Sequence, residues 1–270
     1  MMTLLARPVI VLVAAALLAA GCAGTVASHQ VPVRGGPRPA TLTGDVYRPN
    51  GPGPFPAVIL LHGCSGVRPN SVAWAEWLRS EGYVALLLDS FSGRGLRNLC
   101  GGSAALMGGP RAHDVFAAAE SLKALSFVDA GRIGAIGFSH GGWTVLWTGV
   151  WENSYPQHPV KALVAFYPFC GDVGTYSGSV PLLMLLGARD DWTPAAPCQA
   201  IAESARQSGR RVSAVVYPEA HHAFDAANLA RPTRIPEARG GRGATVAYDA
   251  QAHGHSIRQV RQFLAEHLRR

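Results

Sequence analysis

The chain has 270 residues, 48% of them hydrophobic and 15% charged, with a formal net charge of +7. This excludes a disordered chain and supplies enough apolar material for one large globular domain. The positive charge comes from arginines scattered along the sequence, with no run of Lys or Arg and no interleaved aromatics, so nucleic acid is not an expected partner.

The chain begins "MMTLLARPVIVLVAAALLAAGC", in which Arg7 precedes an apolar stretch from Pro8 to Ala20. The stretch is too short for a spanning helix and fits a signal peptide over residues 1–21. Its end, "LLAAGC", resembles a bacterial lipobox with Cys22 as the lipid-bearing residue, although Ala19 stands where leucine is commonest. Simple cleavage between Ala20 and Ala23 is the alternative. Either way the chain is expected to be exported, as a periplasmic protein or an envelope-anchored lipoprotein that lies on a membrane without spanning it. Residues 22–40, rich in Gly, Pro and small side chains, read as a flexible tether running into a first edge strand, with the globular domain over 41–270.

Short apolar runs then alternate with amphipathic stretches. The runs cover 57–63, 83–90, 132–138, 161–168, 181–187 and 211–218. Their near-continuous hydrophobicity is what parallel strands covered on both faces require. Helices are predicted over 71–82, 111–125, 140–151, 196–209 and 256–270. Strand and helix in alternation define an α/β chain with a doubly wound, mostly parallel sheet and helices on both faces.

Apart from Cys22 the sequence holds Cys64, Cys100, Cys170 and Cys198. Four cysteines in an exported chain allow three pairings. "LHGCSG" and "RNLCGG" follow neighbouring strands, and "FYPFC" and "TPAAPC" follow the next ones along. Cys64–Cys100 and Cys170–Cys198 are therefore expected, with four buried thiols as the alternative.

The segment "IGAIGFSHGG" runs an apolar strand into Gly137, Phe138, Ser139, His140 and Gly141. Gly-x-Ser-x-Gly is the pattern of a nucleophile elbow, a tight strand-to-helix turn that would reject a side chain at either glycine. Serine before a helix is also a common N-cap, so the companions decide. In open parallel sheets reactive groups collect beyond the carboxyl ends of the strands. After 181–187 come Asp190 and Asp191, and after 211–218 come His221 and His222. Serine, acid and histidine thus fall on successive strand ends in the chain order of one known triad architecture. A serine hydroxyl needs a base, and a carboxylate on the far ring nitrogen fixes the tautomer of that base. Backbone N–H groups must meet the oxyanion: that of His140, after the serine, and that of Cys64, in the glycine-rich turn Gly63–Gly66. The His140 imidazole would then be free to line the pocket. Spacing alone leaves Asp190 against Asp191 and His222 against His221 open.

The segments "LLHGCSG", "GFSHGG", "GARDDWTP" and "YPEAHHAF" together resemble the dienelactone hydrolase family of the α/β-hydrolase fold, over roughly residues 41–270. Gly187, Asp190 and Pro194 match its Gly-x-x-Asp-x-x-x-Pro, and His222 and Phe224 match its His-x-Phe, which favours Asp190 and His222. The resemblance implies hydrolysis of esters or lactones, with no cofactor and no metal. The namesake enzymes carry a cysteine nucleophile where this chain has Ser139, which leans toward a broader carboxylesterase acting on a small-molecule ester or lactone. Peptidase or thioesterase activity on the same fold, and a non-catalytic envelope binding protein, are the alternatives.

His221, His222, His253 and His255 do not match the usual zinc spacings, so a metal site is not expected; "AQAHGHSIRQ" reads as the polar lead-in to the last helix. Trp74, Trp77, Trp143, Trp147 and Trp151 stand at helical spacings and read as packing. Ser65 reads as a turn residue. The long irregular stretches 91–110 and 225–248 are expected to form the substrate rim, where Arg94, Arg97 or Arg111 could meet an acidic group, although simple solvation or ion pairing is the favoured reading of each. Oligomeric state is not legible.

Overall fold

The computed structural model describes residues 25–269. The expected signal segment and Cys22 lie outside the described residues.

Eight strands form one sheet in the order β1-β2-β4-β3-β5-β6-β7-β8. They are β1 (Val26–Val33), β2 (Ala40–Tyr47), β3 (Phe55–Leu61), β4 (Val84–Asp89), β5 (Val128–Phe138), β6 (Val160–Phe166), β7 (Leu182–Gly187) and β8 (Val212–Tyr217). β1 and β2 pair antiparallel, β2 pairs antiparallel with β4, and the rest of the sheet is parallel. All six apolar runs are strands.

The strand period of two sorts side chains onto two cores. On β3, Ala57, Ile59 and Leu61 enter one core and Val58 and Leu60 the other. The first core is covered by α2 (Gly108–Lys123), α3 (His140–Val150) and α4 (Ala195–Gln207). The second is covered by α1 (Pro69–Ser80) and α6 (Ala250–Leu268) through Trp74, Leu78, Val260 and Leu264. Helices thus lie on both faces, as a doubly wound sheet demands.

Three boundaries differ from expectation. Val26–Val33, inside the segment read as a tether, is the edge strand β1, hydrogen-bonded along its length to β2. Helix α2 starts at Gly108, and α6 starts at Ala250, where Asp249 caps it by accepting from the Gln251 and Ala252 amides. The expected lead-in with His253 and His255 is therefore inside the helix. The stretch 225–248 carries a short hairpin of β9 (Thr233–Ile235) and β10 (Ala244–Val246) around the single turn α5 (Ala238–Gly241). Both expected disulfides are present, Cys64–Cys100 and Cys170–Cys198.

Candidate active site

Ser139 sits between β5 and α3 with φ 53° and ψ −111°, a left-handed conformation that costs an L-residue about 1–3 kcal/mol. Close packing imposes it. A Cβ on Gly137 would lie 2.1 Å from the Gly141 oxygen, and one on Gly141 would lie 2.1 Å from the Leu61 oxygen. The two glycines let α3 press onto the ends of β3 and β5, so the serine points off the sheet.

Asp190 follows β7 and His222 follows β8. His222 Nε2 lies 2.9 Å from Ser139 Oγ, and His222 Nδ1 lies 2.7 Å from Asp190 Oδ2. All three are buried, with exposures of 9% for Ser139, 4% for Asp190 and 3% for His222. Asp190 Oδ1 accepts the Trp192 and Thr193 amides at 2.8 Å each, and the Thr193 hydroxyl sits 2.9 Å from Oδ2. Burial pushes the Asp190 carboxyl pKa up, but His222 and the two amides outweigh it and hold it below the usual carboxylate range. A carboxylate on Nδ1 selects the tautomer with Nδ1–H, which leaves Nε2 bare to accept the serine proton.

The adjacent candidates have other partners. Asp191 accepts from the Thr245 amide at 2.7 Å, tying β10 to the loop after β7. His221 does not meet Ser139, and its Nδ1 is buried without a partner. His253 packs against Trp74 and Tyr248, and His255 against Tyr217. Among the described residues no group of three His, Cys, Asp or Glu side chains could hold a metal ion.

A cavity of about 480 Å³ opens above Ser139. Gly63 to Gly66, the turn expected to offer the Cys64 amide, forms one wall together with Asn98 and Cys100. Leu229, Ile235, Glu237 and Val246, from the excursion after His222, form another. Both long stretches expected at the rim do contribute. Ser65 also lines the cavity, where its hydroxyl accepts from Arg68 Nε at 3.2 Å.

The expected arginines fare differently. Arg94 is paired with Asp114 at 2.6 Å with 3% of its side chain exposed, and Arg111 is fully buried; only Arg97 of the three is exposed. The His140 imidazole is not free either. Its Nδ1 accepts from Arg111 at 3.0 Å and its Nε2 donates to the Leu106 oxygen at 2.9 Å, because α2 passes directly beneath it.

Sequence reasoning missed Trp192, Thr193 and Asp225. Trp192 lines the cavity, with its ring 4.9 Å from that of His222. Asp225, 2% exposed, accepts from the Tyr167 hydroxyl at 2.5 Å, from Trp74 Nε1 at 2.9 Å and from Asn70 Nδ2 at 3.1 Å. It fixes the loop carrying His222 to α1 and to the end of β6. Burial and the Asp225 carboxylate push the Tyr167 pKa well up, so its hydroxyl stays a donor. The adjacency of Asp225 to the His-x-Phe motif was the available signal.

A mostly parallel sheet wound on both faces, with an elbow serine, an acid and a histidine on its strand ends, defines the α/β-hydrolase fold. The dienelactone hydrolase family pattern matches residues 42–268. The chain belongs to the dienelactone hydrolase family. It is similar, at 30% identity over 193 residues, to a curated protein of Methylorubrum extorquens named "Putative carboxymethylenebutenolidase", a match covering 64% of this chain and 65% of that one. The chain thus spans just under two thirds of the length of that relative. Among solved structures it resembles the dienelactone hydrolase of Anabaena variabilis, with TM-score 0.66 and 18% identity over 91% of this chain and 99% of the other. It also resembles the dienelactone hydrolase-like promiscuous phosphotriesterase P91 from metagenomic libraries, with TM-score 0.67 and 23% identity over 90% and 98%. At these identities the two structures speak for the fold.

Proposed function

We propose that the protein is a serine hydrolase that cleaves carboxylic esters or lactones through an acyl-enzyme. The observation that carries this reading is the continuous chain from Ser139 Oγ to His222 Nε2 and from His222 Nδ1 to Asp190, at 2.9 and 2.7 Å, on the floor of an open cavity. Ser139 Oγ attacks the carbonyl carbon while its proton passes to His222 Nε2. Asp190 holds the imidazole in place and stabilises the imidazolium. The amides of Cys64 and His140 receive the oxyanion. Collapse expels the alkoxide, which takes the proton from His222; a water then repeats the sequence and releases the acid.

Cavity size and lining favour esters of modest bulk with an apolar part against Trp192, Leu229 and Ile235. We further propose an exported protein, periplasmic or held at the envelope through Cys22. Two disulfides among the described residues support an oxidising compartment.

The test is hydrolysis of short-chain and medium-chain p-nitrophenyl esters by residues 25–269. Ser139→Ala should abolish turnover, and Asp190→Asn should cost on the order of 10³- to 10⁴-fold in kcat while Asp191→Asn changes little. Turnover that survives in folded Ser139→Ala refutes the assignment of the nucleophile. A wild-type protein with neither ester turnover nor fluorophosphonate labelling at Ser139 refutes the hydrolase reading.

A further inference from the structure

Beneath the elbow lies a buried polar cluster that the scheme above does not use. Arg111, in the first turns of α2, is 0% exposed. Its Nη1 donates to the His62 carbonyl at 3.0 Å and to His140 Nδ1 at 3.0 Å, and its guanidinium stands 5.1 Å from the centre of the Phe91 ring. Its Nε and Nη2 are buried with no hydrogen-bond partner. Among the described residues no carboxylate lies within ion-pair distance of it, and Asp114, one helical turn on, is committed to Arg94 through two bonds of 2.9 and 2.6 Å. A buried cation with no carboxylate at ion-pair distance is costly, and Asp114 and Asp89 offset the charge of Arg111 only from further off.

The two imidazoles in the cluster are neutral, each in one tautomer. Arginine only donates, so His140 Nδ1 accepts and its Nε2–H goes to the Leu106 oxygen. His62 donates from Nδ1 to the Gly63 oxygen at 2.7 Å and accepts the Ser90 amide at Nε2, 3.2 Å away. Burial, reinforced by the Arg111 charge, pushes both pKa values down, that of His140 to about 3.

The peptide planes connect this cluster to the reaction. The Gly63 carbonyl belongs to the same peptide unit as the Cys64 N–H, and the Ser139 carbonyl to the same unit as the His140 N–H. The first carbonyl is held by His62 Nδ1, and the second accepts from the Trp143 amide at 2.9 Å. Both planes are thus anchored at the end opposite the N–H, and Arg111 bonds to the carbonyl of His62, whose ring makes the first anchor, and to the ring of His140, which offers the second N–H.

We propose that Arg111 is the positioning residue of the oxyanion hole, acting through the His62 carbonyl and the His140 ring to fix the two donor peptides and to favour negative charge beside them. The inference rests on the hydrolase reading given above. In the resting enzyme Arg111 has no carboxylate at ion-pair distance, Asp114 and Asp89 acting on it only from further off, whereas the tetrahedral intermediate places a negative charge on the far side of the donors. Its effect therefore falls on the transition state more than on bound substrate.

The experiment compares Arg111→Met and Arg111→Lys with the wild type, using p-nitrophenyl ester kinetics, Tm, and binding of a trifluoromethyl ketone. The ketone adds Ser139 Oγ to its carbonyl carbon, gives the serine proton to His222, and leaves an oxyanion facing the amides. Arg111→Met should lower kcat by roughly 10- to 100-fold and weaken ketone binding by a similar factor, with KM within about twofold. Its Tm should fall, because the His62 carbonyl and His140 Nδ1 lose this donor, with the removal of a buried charge offsetting part of the loss. Arg111→Lys, which keeps the charge, should recover part of both losses. A merely structural arginine would lower Tm in the same way yet leave kcat and ketone binding alone, and that result overturns the proposal. Should Arg111→Met not fold, Arg111→Lys is read alone: a parallel loss in kcat and ketone affinity supports the proposal, and wild-type values refute it. An active wild type with an unaffected Arg111→Met sinks this inference only. A wild type that neither turns over esters nor labels at Ser139 sinks the hydrolase reading, and this inference with it.

Discussion

The two disulfides should contribute alike to stability and unlike to activity. Cys64 and Cys100 are 36 residues apart and Cys170 and Cys198 are 28 apart. On the chain-entropy argument each closure removes about 4 kcal/mol of unfolded-state freedom, since the cost grows only with the logarithm of loop length. For a domain of this size 1 kcal/mol moves Tm by roughly 2–4 °C, so each pair replaced by serine should lower Tm by about 8–16 °C. Location separates them. Cys64 lies in the turn offered as an oxyanion donor, its carbonyl accepts the Leu99 amide at 2.8 Å, and Cys100 lines the cavity beside Asn98. The small apolar cluster of Phe91, Leu99 and Leu106 packs against Cys64 as well. The other bridge joins the loop after β6 to the first turn of α4. Differential scanning calorimetry, with kcat/KM measured at 25 °C well below both transitions, should show matched losses of Tm. It should also show a loss of ~10-fold or more in kcat/KM for Cys64→Ser/Cys100→Ser, because small displacements of positioned groups are expensive. The Cys170→Ser/Cys198→Ser protein should stay within about twofold of wild type. Equal kinetic losses, or an unchanged kcat/KM in the first variant, would refute the view that the bridge holds the oxyanion turn.

Asp225→Ala should destabilise the fold by about 2–6 kcal/mol, since it leaves the Tyr167 hydroxyl and Trp74 Nε1 as buried donors without an acceptor; a loss below about 1 kcal/mol in urea titrations contradicts that account. Stability should also depend on pH with a definite sign. His62 and His140 are kept neutral in the folded state, largely by burial, whereas unfolded imidazoles take a proton below about pH 6.5. The unfolded chain therefore binds more protons in acid, so this stability is fully present above about pH 6.5 and is lost as pH falls, by at most about 1.4 kcal/mol per unit for each histidine. Tm should be level from pH 7 to 8 and decline from 6.5 to 5, with a shallower decline in His140→Asn; a flat profile down to pH 5 would count against neutral imidazoles.

Legibility in the sequence followed how locally each feature is determined. The elbow was readable because its glycines stand within five residues and each answers a steric demand, Gly137 against the backbone of Gly141 and Gly141 against that of Leu61. The parallel strands were readable because burial on both faces requires unbroken apolar runs. β1 was not, since "VASHQVPV" is mostly exposed and looked like linker, and the strand expected to follow it as the edge, β2, is therefore second from the edge. The choice of Asp190 over Asp191 followed from matching a family pattern, and its physical basis appears only in three dimensions. Oδ1 of Asp190 accepts the Trp192 and Thr193 amides, which leaves Oδ2 to meet His222, while Asp191 turns back to β10. Arg111 and Arg94 looked like surface charges because nothing local tells that a helix will bury them.

The supports around Ser139 are separate in origin, and that separation bears on how the site can change. The turn proposed to bind the oxyanion is tied down by the Cys64–Cys100 bridge and by His62, whose carbonyl accepts from Arg111; Asp190 by the amides of Trp192 and Thr193; and the His222 loop by Asp225 and by pairing of His222 with Val246. None of these anchors draws on the side chains of Leu229, Ile235 or Glu237, which nonetheless face the same cavity. The lining from Leu229, Ile235 and Glu237 is therefore separable from the anchors, although Cys64, Cys100, Trp192 and Val246 serve both. The stretch between Ala226 and β10 can vary in length and character without removing any of the anchors of Ser139, His222 and Asp190. Loops set on a rigid sheet have this freedom as a rule. On the proposed function it would place the determinants of substrate choice on the segment least legible from sequence, the one between His222 and the last helix.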